Sequence, residues 1–138
     1  MINYIKAFII MLKAHWKQRD KGNHLYIFHP LRVSRNCKNK SSKIVALLHD
    51  VIEDNPNYSM EDFTFLNEEE KEALALLTHN KDIAYFDYIN KIKNNKIARE
   101  VKLSDLKDNS NFDRLLTITE KDIKRIEKYR VAQKMLSN

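Results

Sequence analysis

Apolar side chains recur at helical spacing along most of this chain. Ile2, Ile5, Phe8, Ile9, Leu12 and Trp16 predict a first amphipathic helix over 2–19 with that row turned to the core. Gly22 and Asn23 mark a loop over 20–28, and Pro30 suits the first turn of a short helix reaching about Cys37. Ser41 or Ser42 can cap a third helix to Asp54, stopped by Asn55-Pro56-Asn57. Ser59 with Asp62, and Asn67 with Glu70, resemble capping boxes. Asp82 is placed as the cap of a helix through Asn94, a helix over 96–108 follows, and Thr119 with Asp122 opens the last one. The expectation is an all-α bundle forming one domain over residues 1–138, without repeats or a linker.

Composition sharpens this picture. One glycine and two prolines among 138 residues leave little turn chemistry for hairpins. The single cysteine, Cys37, excludes an intramolecular disulfide and suits a reducing cytoplasm. The apolar run from Ala7 to Leu12 is too short to cross a bilayer, so a cytoplasmic protein without a membrane partner is expected. The net charge of +6 favours an anionic partner, although most of the lysines serve to solvate helix faces.

The third helix carries the candidate chemistry. With His49 at zero, Glu53, Asp50 and Asp54 fall at roughly 40°, 100° and 140°, opposite the aliphatic wall of Ile44, Val45, Leu47, Leu48, Val51 and Ile52. One imidazole and three carboxylates suit a divalent first-row metal, with a carboxylate free to position or deprotonate an attacking water. A solvated polar face explains the same pattern. Three clustered carboxylates call for a cation, which a metal, Lys43 or a distant arginine could supply. Asp105 lies on an apolar stripe with Ala98, Val101 and Leu106, where a carboxylate is costly unless paired or coordinated. Lys102 and Asn109 share its side of the helix, so a local Asp–Lys pair and a metal ligand both remain open. His29, before Pro30, is by itself a cap or core histidine; His15 reads as structural support, and His24 and His79 receive no role.

Several stretches then fall into one order: Ala14-His15-x-x-Gln18, Lys21-Gly22, Tyr26-Ile27-Phe28-His29-Pro30-Leu31-Arg32-Val33, Ala46 to Asp54, and Val101-Lys102-Leu103-Ser104-Asp105 followed by Asn109. In this order and spacing the chain resembles the hydrolase domain of Rel/SpoT alarmone enzymes, especially its stand-alone small-hydrolase relatives. The resemblance implies an HD-type helical bundle around one Mn²⁺ per chain, with His29, His49, Asp50 and Asp105 as ligands. It implies that Glu53 and Asp54 orient and activate the attacking water. It also implies that Asn109 lies by the substrate's sugar and Lys21 in the nucleotide pocket. The implied activity is hydrolysis of the 3′-pyrophosphate of (p)ppGpp. Lys102 joins the candidate substrate-binding residues.

The chain departs from this pattern in its base-recognition stretch. The family's guanine-stacking arginine is replaced by Asp20, with Arg19 one place off; Leu25 stands for a proline, and Ser110-Asn111-Phe112-Asp113 for an arginine-rich continuation. A carboxylate neither stacks as a cation nor attracts phosphate. Either the substrate differs or Arg19 takes over. The alternatives are an HD phosphohydrolase for another phosphorylated nucleotide and a catalytically inactive basic helical module. In the latter, Lys38, Lys40 and Lys43, or Lys121, Lys124, Arg125 and Lys128, would form the patch; nucleic acid is the less favoured partner.

Overall fold

The computed structural model describes residues 1–137. Its helices are α1 (Ile2–His15), α2 (Phe28–Asn36), α3 (Lys40–Leu48), α4 (Val51–Asp54), α5 (Glu68–Leu77), α6 (Tyr85–Ile92), α7 (Lys96–Asn109) and α8 (Glu120–Ser137), with 3₁₀ turns at Met60–Phe63 and Phe112–Arg114. Among the described residues there is no strand, only an isolated bridge between Arg19 and Leu25 that closes the 20–24 loop. Asn23 takes the left-handed backbone this loop needs, at φ 63°. The all-helical architecture expected from the sequence is therefore the one observed.

Helix α7 is the central element, packed against α2, α3, α5 and α8. Its buried Ala98, Val101 and Leu106 meet Leu47, Leu48, Leu74 and Ile89 in one continuous core. Three of the predicted starts are observed. Asn67 and Glu70 exchange side-chain and backbone bonds of 2.8 and 3.1 Å, Ser59 and Asp62 form the second capping box, and Thr119 and Asp122 bond reciprocally ahead of α8.

Other boundaries differ. Asn39, not Ser41 or Ser42, caps α3, accepting from the Ser41 N–H; Ser41 Oγ instead donates to Glu70. Helix α6 starts after Ala84 and ends at Ile92, because Asp82 is held in a turn through the Asn80 side chain. Helix α1 stops at His15, where the chain turns back through a Gln18 N–H to His15 carbonyl bond. Its core face also differs from the predicted row. Ala7, Met11 and His15 are buried, while Ile2, Ile5, Ile9 and Trp16 face outward. Apolar side chains encircle α1, so periodicity alone selects no face. Packing against α3 and α4 decides it, with Ala7 fully buried on the chosen side.

The predicted third helix is broken at its most chemically interesting point. It ends at Leu48, Asp50 adopts φ −107° and ψ −1°, and one further turn forms α4. The cause is local: the Ala46 carbonyl accepts from both the backbone N–H and the ring Nδ1 of His49, drawing the chain off the regular ladder.

The Asn67 box holds the start of α5, whose Leu74 and Leu77 are core residues. Asn67→Ala is expected to lower unfolding free energy by about 1 kcal/mol, measured by denaturant titration.

Candidate metal centre

Three separate segments converge on one point. His29 comes from the first turn of α2, His49 and Asp50 from the α3–α4 break, and Asp105 from the middle of α7. One donor atom from each lies within 4.8 Å of all the others, so the four could hold a metal ion. His29 Nε2 is 2.9 Å and His49 Nε2 3.2 Å from Asp105 Oδ1. Asp50 Oδ2 lies 3.1 Å from His49 Nε2 and 3.8 Å from His29 Nε2.

The imidazoles are oriented from behind. His29 Nδ1 bonds Asp108 Oδ2 at 2.6 Å, and His49 Nδ1 bonds the Ala46 carbonyl at 2.6 Å. With each Nδ1 committed outward, each Nε2 faces the centre, where its proton toward Asp105 is the one that a bound cation would displace. A nitrogen–oxygen donor set pinned this way fits a divalent cation. Asp108 is in turn gripped by Arg32, through Nε at 2.8 Å and a second guanidinium nitrogen at 3.2 Å. The Tyr26 hydroxyl donates to Asp50.

Asp105 also accepts from Lys102 Nζ at 2.9 Å and Asn109 Nδ2 at 3.0 Å. The two readings of this residue thus coexist: the Asp–Lys pair is present, and the carboxylate still faces the cluster. Lys102, not Lys43, is the nearby cation. Lys43 reaches the carbonyls of Ser34 and Arg35, whereas Lys102 is partly buried and lies 5.3 Å over the Tyr88 ring. Burial alone would lower the two imidazoles, but Asp105 and Asp108 hold His29 above the ordinary value, and Asp50 and Asp105 do the same for His49. Burial alone would raise the carboxyls, yet His49 holds Asp50 down, and Lys102 with His49 holds Asp105 down. The centre is a charge-compensated cluster that favours positive charge at its middle.

Glu53 and Asp54 sit one turn further on and part company. Glu53 accepts the His79 backbone N–H and lines a cavity of about 200 Å³ with His49, Asp50, Asp105, Lys102, Tyr85 and Tyr88. Asp54 accepts from Gln18 Nε2 at 2.9 Å, and Gln18 Oε1 bonds His15 Nδ1 at 2.7 Å. Burial, and then the charge of Asp50, raises Asp54. Burial also raises Glu53, against the opposing pull of the His79 bond. His15 therefore braces the site, as expected for a support residue. His79 touches the site although the sequence assigned it nothing.

A second cavity, of about 430 Å³, adjoins the first; Asn109 and Tyr129 line both. Gln18, Arg19, Asp20, Lys21, Asp54 and Arg125 also line it. Asp20 Oδ1 accepts the backbone N–H groups of Gly22 and His24, each at 2.9 Å, so its carboxylate shapes the loop. Arg19 bonds the Asn23 carbonyl on the exposed side. Lys21 is lowered by burial and then by the charge of Arg125, which Asp122 holds at 2.8 Å. Arg125 and Tyr129, like Asp108, were missed as site residues. Asp108 lies three residues after Asp105 and Arg32 three after His29, a spacing that places each pair on one helix face. Arg125 and Tyr129 follow from how α8 folds back over α7, and no local pattern announces that.

No family model matches the chain, and no curated protein does. Among solved structures it is similar to a metazoan ortholog of SpoT that hydrolyses ppGpp, with a TM-score of 0.76, 22% identity, and coverage of 99% of this chain and 84% of that one. The all-helical fold is accordingly shared with that structure.

Asp108 carries both the orientation of His29 and the Arg32 pair. Asp108→Ala is expected to cost at least about 2 kcal/mol of stability, read from chemical denaturation at neutral pH, because it leaves Arg32 without its partner and the His29 Nδ1 proton without an acceptor.

Proposed function

We propose that this protein is a metal-dependent nucleotide pyrophosphohydrolase, with residues 1–138 forming one hydrolase domain, that removes the 3′-pyrophosphate of (p)ppGpp or a closely related alarmone in the cytoplasm. The observation that carries this reading is the convergence of His29, His49, Asp50 and Asp105 with both Nε2 atoms turned inward, beside two carboxylates and a basic-lined cleft. One Mn²⁺ per chain suits the donor set. When bound, such a cation lowers the pKa of water and offsets phosphate charge. The likeness to a ppGpp hydrolase of the same fold supports the substrate class.

The chain's own groups divide the remaining work. Glu53 and Asp54, raised by burial, are suited to take a proton from an attacking water near neutral pH. The His79 N–H fixes one of them and Gln18, braced by His15, the other. Lys21 and Arg125 give the adjoining cleft its positive charge, and Asn109 stands where the two cavities meet. A second substrate reading, another phosphorylated nucleotide, is favoured by the 20–24 loop. Asp20 is spent on backbone N–H groups and Arg19 is tied to the Asn23 carbonyl, so no guanidinium stands at position 20 to stack on a guanine. An inactive basic module is disfavoured because all four ligands converge.

The test is a screen of guanine, adenine and nicotinamide phosphorylated nucleotides for released pyrophosphate or phosphate, run with Mn²⁺-loaded and chelator-treated protein. Release only by loaded protein, strongest on (p)ppGpp, is expected; release from none of them sinks the reading. Asp105→Ala is expected to lose both metal, measured by elemental analysis, and turnover, while far-ultraviolet circular dichroism stays native.

Glu53→Gln and Asp54→Asn are expected to retain the metal; the one that removes the acting base loses at least about 100-fold in kcat. Because burial raises both carboxyls, the wild-type rate should climb with pH through a limb above the ordinary carboxylate value, as the base form becomes populated. That limb disappears in the variant lacking the acting group. Full turnover in both variants would contradict the assignment.

A further inference from the structure

The outward row on α1 is left largely open to solvent by the described residues. Ile2 is 68%, Ile5 49%, Ile9 45% and Trp16 65% exposed. With Ala7 at zero these four fall at roughly 160° to 220°, opposite the buried Ala7, Met11 and His15. They form one strip rather than scattered surface residues. Lys6 and Lys13 follow at roughly 240° to 260° on the wheel, and both are exposed, as are Lys17 and Arg19 just beyond the helix. Residues 1–19 contain four cations in all and no aspartate or glutamate.

We infer that this face of α1 seats on an anionic phospholipid surface, with Ile2, Ile5, Ile9 and Trp16 entering the headgroup boundary and Lys6, Lys13 and Lys17 pairing with lipid phosphates. An apolar row edged by cations and ending in a tryptophan matches what such an interface solvates: apolar atoms toward the acyl chains, an amphipathic ring at headgroup level, ammonium groups among the phosphates. A second copy of the chain fits the face poorly. The strip is about 21 Å long and about one helix, roughly 10 Å, wide, far short of the approximately 800 Å² per partner of a standard interface. An antiparallel pairing would also set the lysine edge of one copy against that of the other. The attachment is peripheral, since no helix among the described residues is long and apolar enough to cross a membrane. Because the strip lies opposite His15, the side of α1 that braces Gln18 and Asp54 stays turned away from the lipid.

The experiment is co-sedimentation of the full chain with vesicles of phosphatidylcholine alone and of phosphatidylcholine mixed with phosphatidylglycerol, independent of any nucleotide assay. Wild type is expected to sediment with the anionic vesicles and to be released by salt. Ile5→Glu/Ile9→Glu should bind at least about tenfold more weakly, as should Lys6→Glu/Lys13→Glu; unchanged melting temperatures show that both remain folded. Equal sedimentation with both vesicle types, none with either, or undiminished binding by the variants overturns the inference. So does wild type that ignores vesicles but forms a dimer split by Ile5→Glu/Ile9→Glu, or that binds polyglutamate in place of lipid.

Discussion

The carboxylate of Asp105 sits in the apolar stripe of the central helix, and the arrangement of this protein turns on how that charge is compensated. Burial makes a lone carboxylate there prohibitive. Lys102 and Asn109 reach it from its own helix, His29 from α2 and His49 from the end of α3. The same contacts that make the charge tolerable tie three segments distant in sequence to one point. A site of this kind is an anchor for the bundle as well as a place for chemistry.

Around that anchor the structure grades its electrostatics outward. Innermost is the cluster of two imidazoles and two carboxylates, whose mutual influence favours a cation at the centre. Behind it, Asp108 with Arg32, the Ala46 carbonyl and the Tyr26 hydroxyl lock ring and carboxylate orientations. Beside it, Glu53 and Asp54 are raised by burial and face different cavities. The basic residues Lys21 and Arg125 stand further out, lining the adjoining cavity. Distance from the centre thus sorts paired donors, raised carboxyls and basic groups.

The break between α3 and α4 shows how local and tertiary forces combine. Leu47 and Leu48 drive α3 into the core, and Val51 does the same for α4. His49 folds its ring back on the Ala46 carbonyl, which ends the regular ladder and swings Asp50 toward His29. An unbroken helix would place His49 and Asp50 about 100° apart; the break lets both meet a single point.

The sequence alone determined the helical class, the capping boxes at Ser59 and Asn67, the apolar surroundings of Asp105, and the His49–Asp50 pair with its following acids. Each of these depends on neighbours within one or two turns, where spacing and side-chain chemistry act directly. Tertiary structure alone decided which side of α1 is buried, that Asp20 shapes a loop, that Lys102 rather than Lys43 is the compensating cation, and that Arg125 and Tyr129 belong to the site. These depend on which helices pack together. A helix such as α1, with apolar side chains all round it, offers several faces of similar hydrophobicity, and only its packing against α3 and α4 selects one.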